Sequence, residues 1–291
     1  MKTVRPRRSV LYMPGANTRA LEKAQILPAD ALIFDLEDAV APDAKEAARA
    51  NVVAAARSKS YGKREIAIRC NGLATSWGKA DVAAIATSGA DAILVPKVES
   101  AADVAAIVAL LDAAGAPASM AVWAMVETPR AILRAEEIAG AHPRLALFVM
   151  GTNDLVKDMR ARHTPMRLPM IAALGIGMLA ARADGLTILD GVYNDIQDTA
   201  GFRAVCKQGL EMGFDGKTLI HPSQVEPCND VFAPSSAELE MAGKIVTAFK
   251  TAQAEGKGVV TVDGRMIENL HVEQAERALA LATAIKELQA A

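Results

Sequence analysis

The sequence is poor in cysteine and in aromatic residues, and it contains no long apolar run. Its three cysteines, Cys70, Cys206 and Cys228, are far apart in the 291 residues, and none belongs to a CxxC pair. This spacing argues against a disulfide framework and against a zinc site. The first residues are charged and lead directly into a strand-like segment, so neither a signal peptide nor a membrane helix is predicted. We therefore expect a soluble protein of the reducing cytoplasm.

The sequence also lacks an excess of charge of either sign. Lysine and arginine total 32, against 34 aspartate and glutamate residues, so the formal net charge is −2. Proteins that bind nucleic acid or anionic membranes usually carry a basic excess, and we expect neither partner here. An anionic substrate must then be bound by a few local basic residues.

Two common enzyme motifs are missing. The turn after the first strand-like segment, residues 12–17, is not the GxGxxG turn of dinucleotide-binding folds. No GxSxG motif and no paired cysteine and histidine indicate a nucleophile. A hydrolytic reaction would therefore need an activated water molecule.

Short apolar runs rich in valine, isoleucine and leucine alternate with alanine-rich segments of helical periodicity. This pattern is typical of parallel strands that helices cover on both faces. Eight βα units of this length predict a (β/α)₈ TIM barrel of the α/β class rather than an open doubly wound sheet. The strands are predicted at residues 9–13, 31–34, 65–69, 92–95, 120–126, 145–150, 186–189 and 217–220.

The pattern changes after Gly216. A helix is predicted over residues 237–254, a hairpin across residues 262–265, and a last amphipathic helix near residues 272–288. We therefore expect a catalytic barrel domain, residues 1–230, and a C-terminal helix-hairpin-helix appendage, residues 231–291. The appendage could cover its own barrel, or it could be a lid that reaches the site of a neighbouring subunit.

Polar residues follow the predicted strands at the end where the active site of such a barrel lies. Glu127 and Asp154 follow neighbouring strands, and their carboxylates could bind one hard cation, for which Mg²⁺ is the natural candidate. Each carboxylate could instead cap the next helix or pair with an arginine such as Arg130. His221 follows the eighth strand and is interpreted as pocket lining, although a hydrogen-bonded structural histidine is equally common there.

Basic residues are candidates for binding an anionic substrate. Arg69 ends an apolar strand, where its guanidinium needs an anionic partner. That partner could be a substrate carboxylate, an enolate derived from a thioester, or an internal salt bridge with Asp35 or Glu37. Arg19 and Lys23 are four residues apart on a predicted helix and would face the same way, which suits a phosphate group. Exposed pairs at this spacing are more often simply a solvated helix face.

Seven short segments lie at the ends of the predicted strands. They are LYMPGAN at 11–17, DLED at 35–38, IRCN at 68–71, VPKVE at 95–99, VET at 126–128, GTND at 151–154 and GKTLIHP at 216–222. In order and spacing, these segments resemble the citrate lyase beta-subunit-like branch of the HpcH/HpaI aldolase family. The resemblance covers nearly the whole chain.

The resemblance implies specific roles for these positions. It implies that Glu127 and Asp154 bind Mg²⁺ and that Arg69 contacts the substrate. It implies a homo-oligomer, either a trimer or a multiple of a trimer. It also implies that a CoA thioester is held by Tyr12, Arg19, Lys23, Ile220 and His221.

The appendage carries one further position that the resemblance makes important. Lyases of the family place an acidic residue, usually aspartate in an MID or MVD motif, into the active site of an adjacent subunit. The equivalent here is Met266-Ile267-Glu268. Glutamate keeps the carboxyl group but adds one methylene, and a small misplacement of a catalytic group can lower a rate by orders of magnitude. We therefore expect Glu268 to be catalytic. Whether the longer side chain still supports the lyase reaction of the family is not decided by the sequence.

Three functions follow from the resemblance. The leading hypothesis is a Mg²⁺-dependent carbon–carbon lyase that cleaves a malyl-, citramalyl- or citryl-CoA type of 3-hydroxy-acid thioester into an α-keto acid and an acyl-CoA. Arg69 would stabilise the enolate, and Glu268 would protonate it. The first alternative is a thioesterase that hydrolyses malyl-CoA-like thioesters with water activated by Glu268. The second alternative is the beta subunit of a multiprotein citrate lyase that acts on a carrier-bound acyl group.

Overall fold

The protein is described by a computed structural model over residues 4–256 and 258–290. The domain ranges expected from the sequence also include residues 1–3, 257 and 291, which lie outside the described residues. The chain divides into two compact units. One is a barrel unit, Arg7–Phe232, and the other is a C-terminal unit that begins at Ala233 and takes in the described residues before Arg7.

Eight parallel strands close into a barrel in sequence order, with the first strand paired to the eighth. This closure confirms the predicted (β/α)₈ barrel, and each strand boundary lies within one residue of its predicted position. The strands are β1 (Ser9–Pro14), β2 (Ala31–Asp35), β3 (Glu65–Arg69), β4 (Ala92–Val95), β5 (Ala121–Val126), β6 (Leu145–Met150), β7 (Thr187–Asp190) and β8 (Gly216–Leu219).

Helices follow the strands, and several begin at a side-chain cap. Asn17, Ser100 and Thr128 each accept a hydrogen bond from the backbone N–H three residues later, at 3.0, 3.3 and 3.1 Å. The helices of this unit are α1 (Thr18–Ala24), α2 (Lys45–Arg57), α3 (Gly78–Ala86), α4 (Ala101–Ala113), α5 (Pro129–Leu133), α6 (Ala135–Ala139), α7 (Thr152–Asp158), α8 (Ile171–Ala183), α9 (Thr199–Met212) and α10 (Val225–Phe232).

Side chains alternate along each strand between the barrel interior and the surrounding helices. On β2, Ala31 and Ile33 belong to the interior cluster, whereas Leu32 and Phe34 belong to the larger core that includes the helices. Asp35 is the next interior position on β2. Successive side chains on a strand point in opposite directions. Asp35, the last residue of β2, therefore points into the barrel at its C-terminal end, where active sites of such barrels lie.

Arg7 connects strands at the N-terminal end of the barrel. Its guanidinium donates hydrogen bonds of 2.5 and 2.9 Å to Glu65 and one of 3.0 Å to Thr187. It also lies 5.7 Å from the ring centre of Trp123, which fills the barrel interior. These contacts join β3, β5 and β7, and residues at this end of a barrel typically serve stability.

The three cysteines are all buried and are free thiols. Within residues 4–256 and 258–290, no helix combines the length and the apolar character needed to cross a membrane.

The C-terminal unit has the predicted order of a helix, a hairpin and a second helix. A capping box begins the first helix, because Ser235 and Glu238 exchange two hydrogen bonds of 3.2 and 2.7 Å. Asp263 and Gly264 both have positive φ angles, as a two-residue hairpin turn requires. The elements are α11 (Ser236–Ala254), β9 (Val260–Val262), β10 (Arg265–Ile267) and α12 (Asn269–Gln289).

The last helix begins three residues earlier than the sequence predicted, at Asn269 instead of Val272. Its first turn contains residues exposed to solvent, including Asn269 and Leu270, so the apolar periodicity starts only at Val272. Val272 packs with Phe249, Val262 and Ile267 in a small core of this unit.

Candidate active site

A cavity of about 300 Å³ opens at the C-terminal end of the barrel strands. This volume suits a small ligand group rather than a polymer. Residues near the ends of β1, β2, β3, β5, β6 and β8, or in the loops after β2, β5, β6, β7 and β8, contribute to its wall. Five residues that the sequence predicted for the site are among them: Tyr12, Arg69, Glu127, Asp154 and Ile220.

Three other predicted residues are placed elsewhere on the barrel unit. Arg19 and Lys23 are exposed on α1. In the described part of the chain, neither they nor His221 line the cavity. The His221 ring lies against Ser223 instead, accepting a 3.2 Å hydrogen bond from its backbone N–H. His221 therefore caps the short 3₁₀ turn that follows β8. Ile220, its neighbour, lines the cavity, whereas the prediction that His221 also does so is wrong.

Glu268 belongs to the C-terminal unit, where it immediately precedes α12. The residue is half-buried, and its backbone N–H donates a 3.1 Å hydrogen bond to His271 Nδ1. Its neighbour Ile267 is anchored in the small core of that unit. The base of the Glu268 side chain is thus fixed within its own unit, and its catalytic role stays a prediction.

Arg69 and Asp35 form the charged pair at the base of the cavity. The two residues are directly paired in register on β3 and β2, so their side chains leave adjacent strands side by side. Arg69 Nε and Nη2 each donate a 2.6 Å hydrogen bond to one carboxylate oxygen of Asp35. Its Nη1 lies 2.8 Å from Glu37 Oε2. Of the partners considered for Arg69, the internal salt bridge is therefore present.

Burial and charge act in opposite directions on the pKa of Arg69. Burial disfavours the charged guanidinium, but Asp35, Tyr12 and Glu37 together outweigh burial and raise the pKa of Arg69 above its usual range. The Tyr12 ring centre lies 4.9 Å from the guanidinium carbon. Burial raises the pKa of Glu37 to about 7, although the Arg69 charge opposes this shift. The cavity base thus keeps a permanent cation beside a carboxyl group that titrates near neutral pH.

Glu127 directly follows β5, Asp154 lies in the first turn of α7 after the neighbouring strand β6, and both line the same cavity. Glu127 is buried, and its Oε1 accepts a 2.8 Å hydrogen bond from the Lys97 backbone N–H. Burial raises the pKa of Glu127 to about 7; the Lys97 N–H opposes this shift, and the charge of Asp154 adds to it. The two carboxylates therefore repel each other when no cation lies between them.

This donor set fits a hard divalent cation. Glu127 and Asp154 supply oxygen atoms only, and mutual repulsion would be relieved by a shared positive charge. Over the described residues, no group of three or more histidine, cysteine, aspartate or glutamate side chains is arranged to hold a metal. Water and substrate oxygens would have to complete the coordination, which is the usual arrangement for Mg²⁺. Arg130, the alternative partner considered for these carboxylates, lies 3.9 Å from Glu99 instead.

Gly151 allows Glu127 to occupy its position. A Cβ atom at Gly151 would overlap both Cβ and Oε2 of Glu127. The residue after β6 must therefore lack a side chain if the Glu127 carboxylate is to face the cavity.

Asp190 is the last residue of β7 and is fully buried. Its carboxylate accepts hydrogen bonds of 2.7 Å from Arg167 and 2.9 Å from Lys217. Burial alone would raise its pKa, but Lys217 and Arg167 lower it. Asp190 is therefore an internal anion that fixes the loop containing Arg167 to the strands.

Several lining residues were not singled out in the sequence. Met125 and Thr218 are interior positions near the ends of β5 and β8, so the alternation of side chains along these strands could have identified them. Val192 lies in the loop after β7, where no periodicity indicates which side chain turns inward.

The barrel, its open-end cavity and the charged side chains that converge there define an enzyme of the (β/α)₈ class. The sequence pattern of the HpcH/HpaI aldolase/citrate lyase family matches residues 8–222. The chain belongs to this family.

Three relatives illustrate the similarity. The chain is 54% identical over 285 residues to a (3S)-malyl-CoA thioesterase of Cereibacter sphaeroides, covering 98% of each chain. It is 36% identical to the citrate lyase subunit beta of Escherichia coli K12, covering 97% of this chain and 95% of the relative. The structure resembles that of CitE from Mycobacterium tuberculosis in complex with magnesium, acetoacetate and coenzyme A. That similarity has a TM-score of 0.76 and 28% identity over 94% of this chain and 97% of the other.

Proposed function

We propose that the protein is a Mg²⁺-dependent thioesterase that hydrolyses a malyl-CoA-like thioester to the free acid and CoA. The observation that carries this proposal is the 54% identity, over 98% of both chains, to a (3S)-malyl-CoA thioesterase. Thioester hydrolysis was the first alternative to the lyase hypothesis, and this relative now favours it.

The cavity supports a small anionic acyl group as the ligand. Arg69 contributes a buried cation, and Glu127 and Asp154 are the residues that would hold the metal ion. Mg²⁺, when bound, would supply a Lewis acid for the hydroxyl and carboxylate oxygens of the acyl group. Magnesium occurs with acetoacetate and coenzyme A in the related structure from Mycobacterium tuberculosis, which supports the same pairing here.

The remaining chemistry belongs to residues of this chain. In the proposed reaction, the Glu268 carboxylate takes a proton from a water molecule whose oxygen adds to the thioester carbonyl. Arg69, held in place by Asp35, stabilises negative charge that develops on the acyl group. The carbon–sulfur bond then breaks, and the proton is returned to the CoA sulfur.

We further propose that the CoA moiety is held by residues around the cavity mouth and that the enzyme is a cytoplasmic homo-oligomer, either a trimer or a multiple of a trimer. The Arg19 and Lys23 side chains, both exposed on α1, would contact the CoA phosphates. Ile220 lines the cavity and would contact the thioester arm together with His221. Glu268 would reach the cavity of a neighbouring subunit.

A carbon–carbon lyase is the second candidate. It is favoured by the 36% identity to a citrate lyase subunit beta, which also keeps the carrier-bound acyl group as a possible substrate. In that reaction Glu268 would act as an acid that protonates carbon rather than as a base that activates water.

The test is to incubate the enzyme with malyl-, citramalyl- and citryl-CoA and to measure free thiol and α-keto acid separately. A thioesterase releases thiol without keto acid, whereas a lyase forms keto acid and leaves the thioester intact. EDTA, Glu127→Gln and Asp154→Asn should each remove most turnover, because EDTA removes the metal and each substitution replaces an anionic oxygen ligand with a neutral amide.

Glu99→Gln is the matched control, because Glu99 is a 40% exposed carboxylate that pairs with Arg130. Keto acid formed without thiol would refute the thioesterase assignment. Full turnover in EDTA and in both metal-site variants would refute the metal assignment.

A further inference from the structure

Lys97 contacts both carboxylates of the proposed metal site. It follows β4 with a φ angle of +51°, in the left-handed region that residues with a Cβ atom rarely adopt. Its backbone N–H donates a 2.8 Å hydrogen bond to Glu127 Oε1. Its Nζ lies 3.9 Å from Asp154 Oδ1. In this unusual backbone conformation, the main chain of Lys97 contacts Glu127 while its side chain contacts Asp154.

The two contacts respond differently to a bound divalent cation. The Lys97 N–H can keep its bond to Glu127 Oε1, because a carboxylate accepts several partners at once. The Lys97 ammonium lies 3.9 Å from Asp154 Oδ1, so it would compete with a cation for this carboxylate, and two positive charges beside one carboxylate repel each other. The Lys97 side chain is 55% exposed, so it has room to turn away from Asp154.

We propose that Lys97 is a specificity-determining residue with two alternating partners. Its ammonium neutralises Asp154 while the site lacks a metal ion, and it binds the free carboxylate of the acyl group once a divalent cation has taken its place. This inference rests on the proposed metal-dependent function and deepens it. It makes the enzyme select an acyl group that carries its own negative charge, and it makes the metal and that acyl group bind cooperatively.

Lys157 offers a matched control. Its Nζ lies 3.8 Å from the same Asp154 oxygen, and its side chain is 75% exposed. It lies on α7, three residues after Asp154, so this contact is an ordinary pair along one helix. Lys97 and Lys157 should therefore have similar electrostatic effects on Asp154, while only Lys97 is proposed to bind the substrate carboxylate.

The experiment measures Mn²⁺ binding to the metal-free protein from the electron paramagnetic resonance signal of free Mn²⁺, with and without malate. For Lys97→Met without malate, we expect Mn²⁺ to bind about twofold to fivefold more tightly, because a competing exposed charge is removed. Malate should bind the Mn²⁺-loaded variant about tenfold more weakly, because a charge-assisted contact is lost. Lys97→Arg should restore most of the malate affinity.

Lys157→Met should also tighten Mn²⁺ binding in the absence of malate, but it should leave the malate affinity of the Mn²⁺-loaded protein unchanged. The proposal is overturned if Lys97→Met weakens Mn²⁺ binding, if it leaves malate binding unchanged, or if Lys157→Met lowers malate affinity equally. Circular dichroism and thermal unfolding establish that each variant is folded, and Lys97→Gln replaces Lys97→Met if the latter is not. Absence of Mn²⁺ binding to the unaltered protein would instead refute the proposed metal site itself.

Discussion

Arg69 and Asp35 are register partners on β3 and β2, and two parallel hydrogen bonds of 2.6 Å join them at the base of the cavity. Asp35→Asn should therefore leave a buried guanidinium without its main counter-ion. We expect a loss of about 3 kcal/mol in the free energy of unfolding, measured in denaturant. Turnover should fall as well, because Arg69 would no longer be held in one orientation.

Asp38→Asn is the control for this prediction. Asp38 lies 3.5 Å from Arg69 Nη1, but its side chain is 71% exposed. The free energy of unfolding should change by less than about 1 kcal/mol, because exposed ion pairs contribute little. If both variants lose the same free energy of unfolding, the two buried hydrogen bonds between Arg69 and Asp35 are not what stabilises this end of the barrel.

Gly151→Ala should weaken metal binding without altering any ligand. The added Cβ would overlap Glu127, so the carboxylate must move. We expect divalent-cation affinity, measured by calorimetry, to fall about tenfold or more. In contrast, Gly175→Ala places its Cβ in open space on α8 and should raise the free energy of unfolding by about 0.5–1 kcal/mol. Unchanged metal affinity in Gly151→Ala would contradict the positioning role.

Glu127 should make the metal-free protein less stable at high pH. Burial raises its pKa to about 7 from an ordinary 4.5, so the folded state holds this proton more tightly than the unfolded state does. Stability linked to this proton is fully present below pH 4.5 and is lost as the pH rises through about 7. The loss for one group of this kind is on the order of 3 kcal/mol.

Glu127→Gln removes that titration, so its melting temperature relative to wild type should rise between pH 5 and pH 8 when both are measured in EDTA. Adding Mg²⁺ at pH 8 should favour wild type again, because only its carboxylate binds the cation. A constant difference across this pH range would exclude the protonation of Glu127 as the cause.

Arg19→Ala combined with Lys23→Ala should raise KM for a CoA thioester more than it lowers kcat. These side chains are proposed to bind a part of the substrate remote from the reacting bond, equally in the ground and transition states. The effect should be largest at low ionic strength, because exposed charges are screened by salt. A variant that loses only kcat, or that matches wild type at low salt, would exclude the phosphate contact.

Glu268→Ala should keep metal and CoA binding but lose turnover. Since Glu268 is proposed to act in a neighbouring subunit, mixing Glu268→Ala subunits with Glu127→Gln subunits after dissociation should create some complete sites and restore part of the activity. Hybrid oligomers that form and stay inactive would exclude action across the subunit boundary.

Glu268→Asp tests the extra methylene in the same position. If the side-chain length decides between activating water and protonating carbon, the shorter residue should increase α-keto acid relative to free thiol. An unchanged product ratio would show that other residues select the reaction.

The sequence predicted the strands to within one residue because parallel strands covered on both faces appear as continuous apolar runs. The same rule placed Glu127 and Asp154 at one end of the barrel, since Glu127 directly follows β5 and Asp154 lies in the first turn of the helix after β6. The partner of Arg69 could not be chosen in this way. Its choice depends on the register between β2 and β3, which aligns Asp35 with Arg69 and which neither strand reveals alone.

Rotamers and loop paths explain the remaining differences. His221 was predicted to line the pocket, but its ring turns back to Ser223, and the choice between these orientations is made by a local capping contact. Asp190 ends β7, and its carboxylate is enclosed by Arg167, which lies in the loop after α7, and by Lys217. Periodicity cannot indicate where an irregular segment will return to the barrel.

The closure of the barrel through β1 and β8 constrains how the chain can fold while it is being synthesised. Ser9 pairs with Lys217, and Leu11 pairs with Leu219, so β1 keeps one unpaired edge until β8 exists. At usual translation speeds, residue 219 follows β1 after roughly 10–40 s. During that interval the nascent sheet exposes a strand edge that could pair with another chain. Rapid covering of this edge, by a chaperone or by transient pairing with other strands, should therefore govern the yield of active enzyme more than the stability of the finished barrel does.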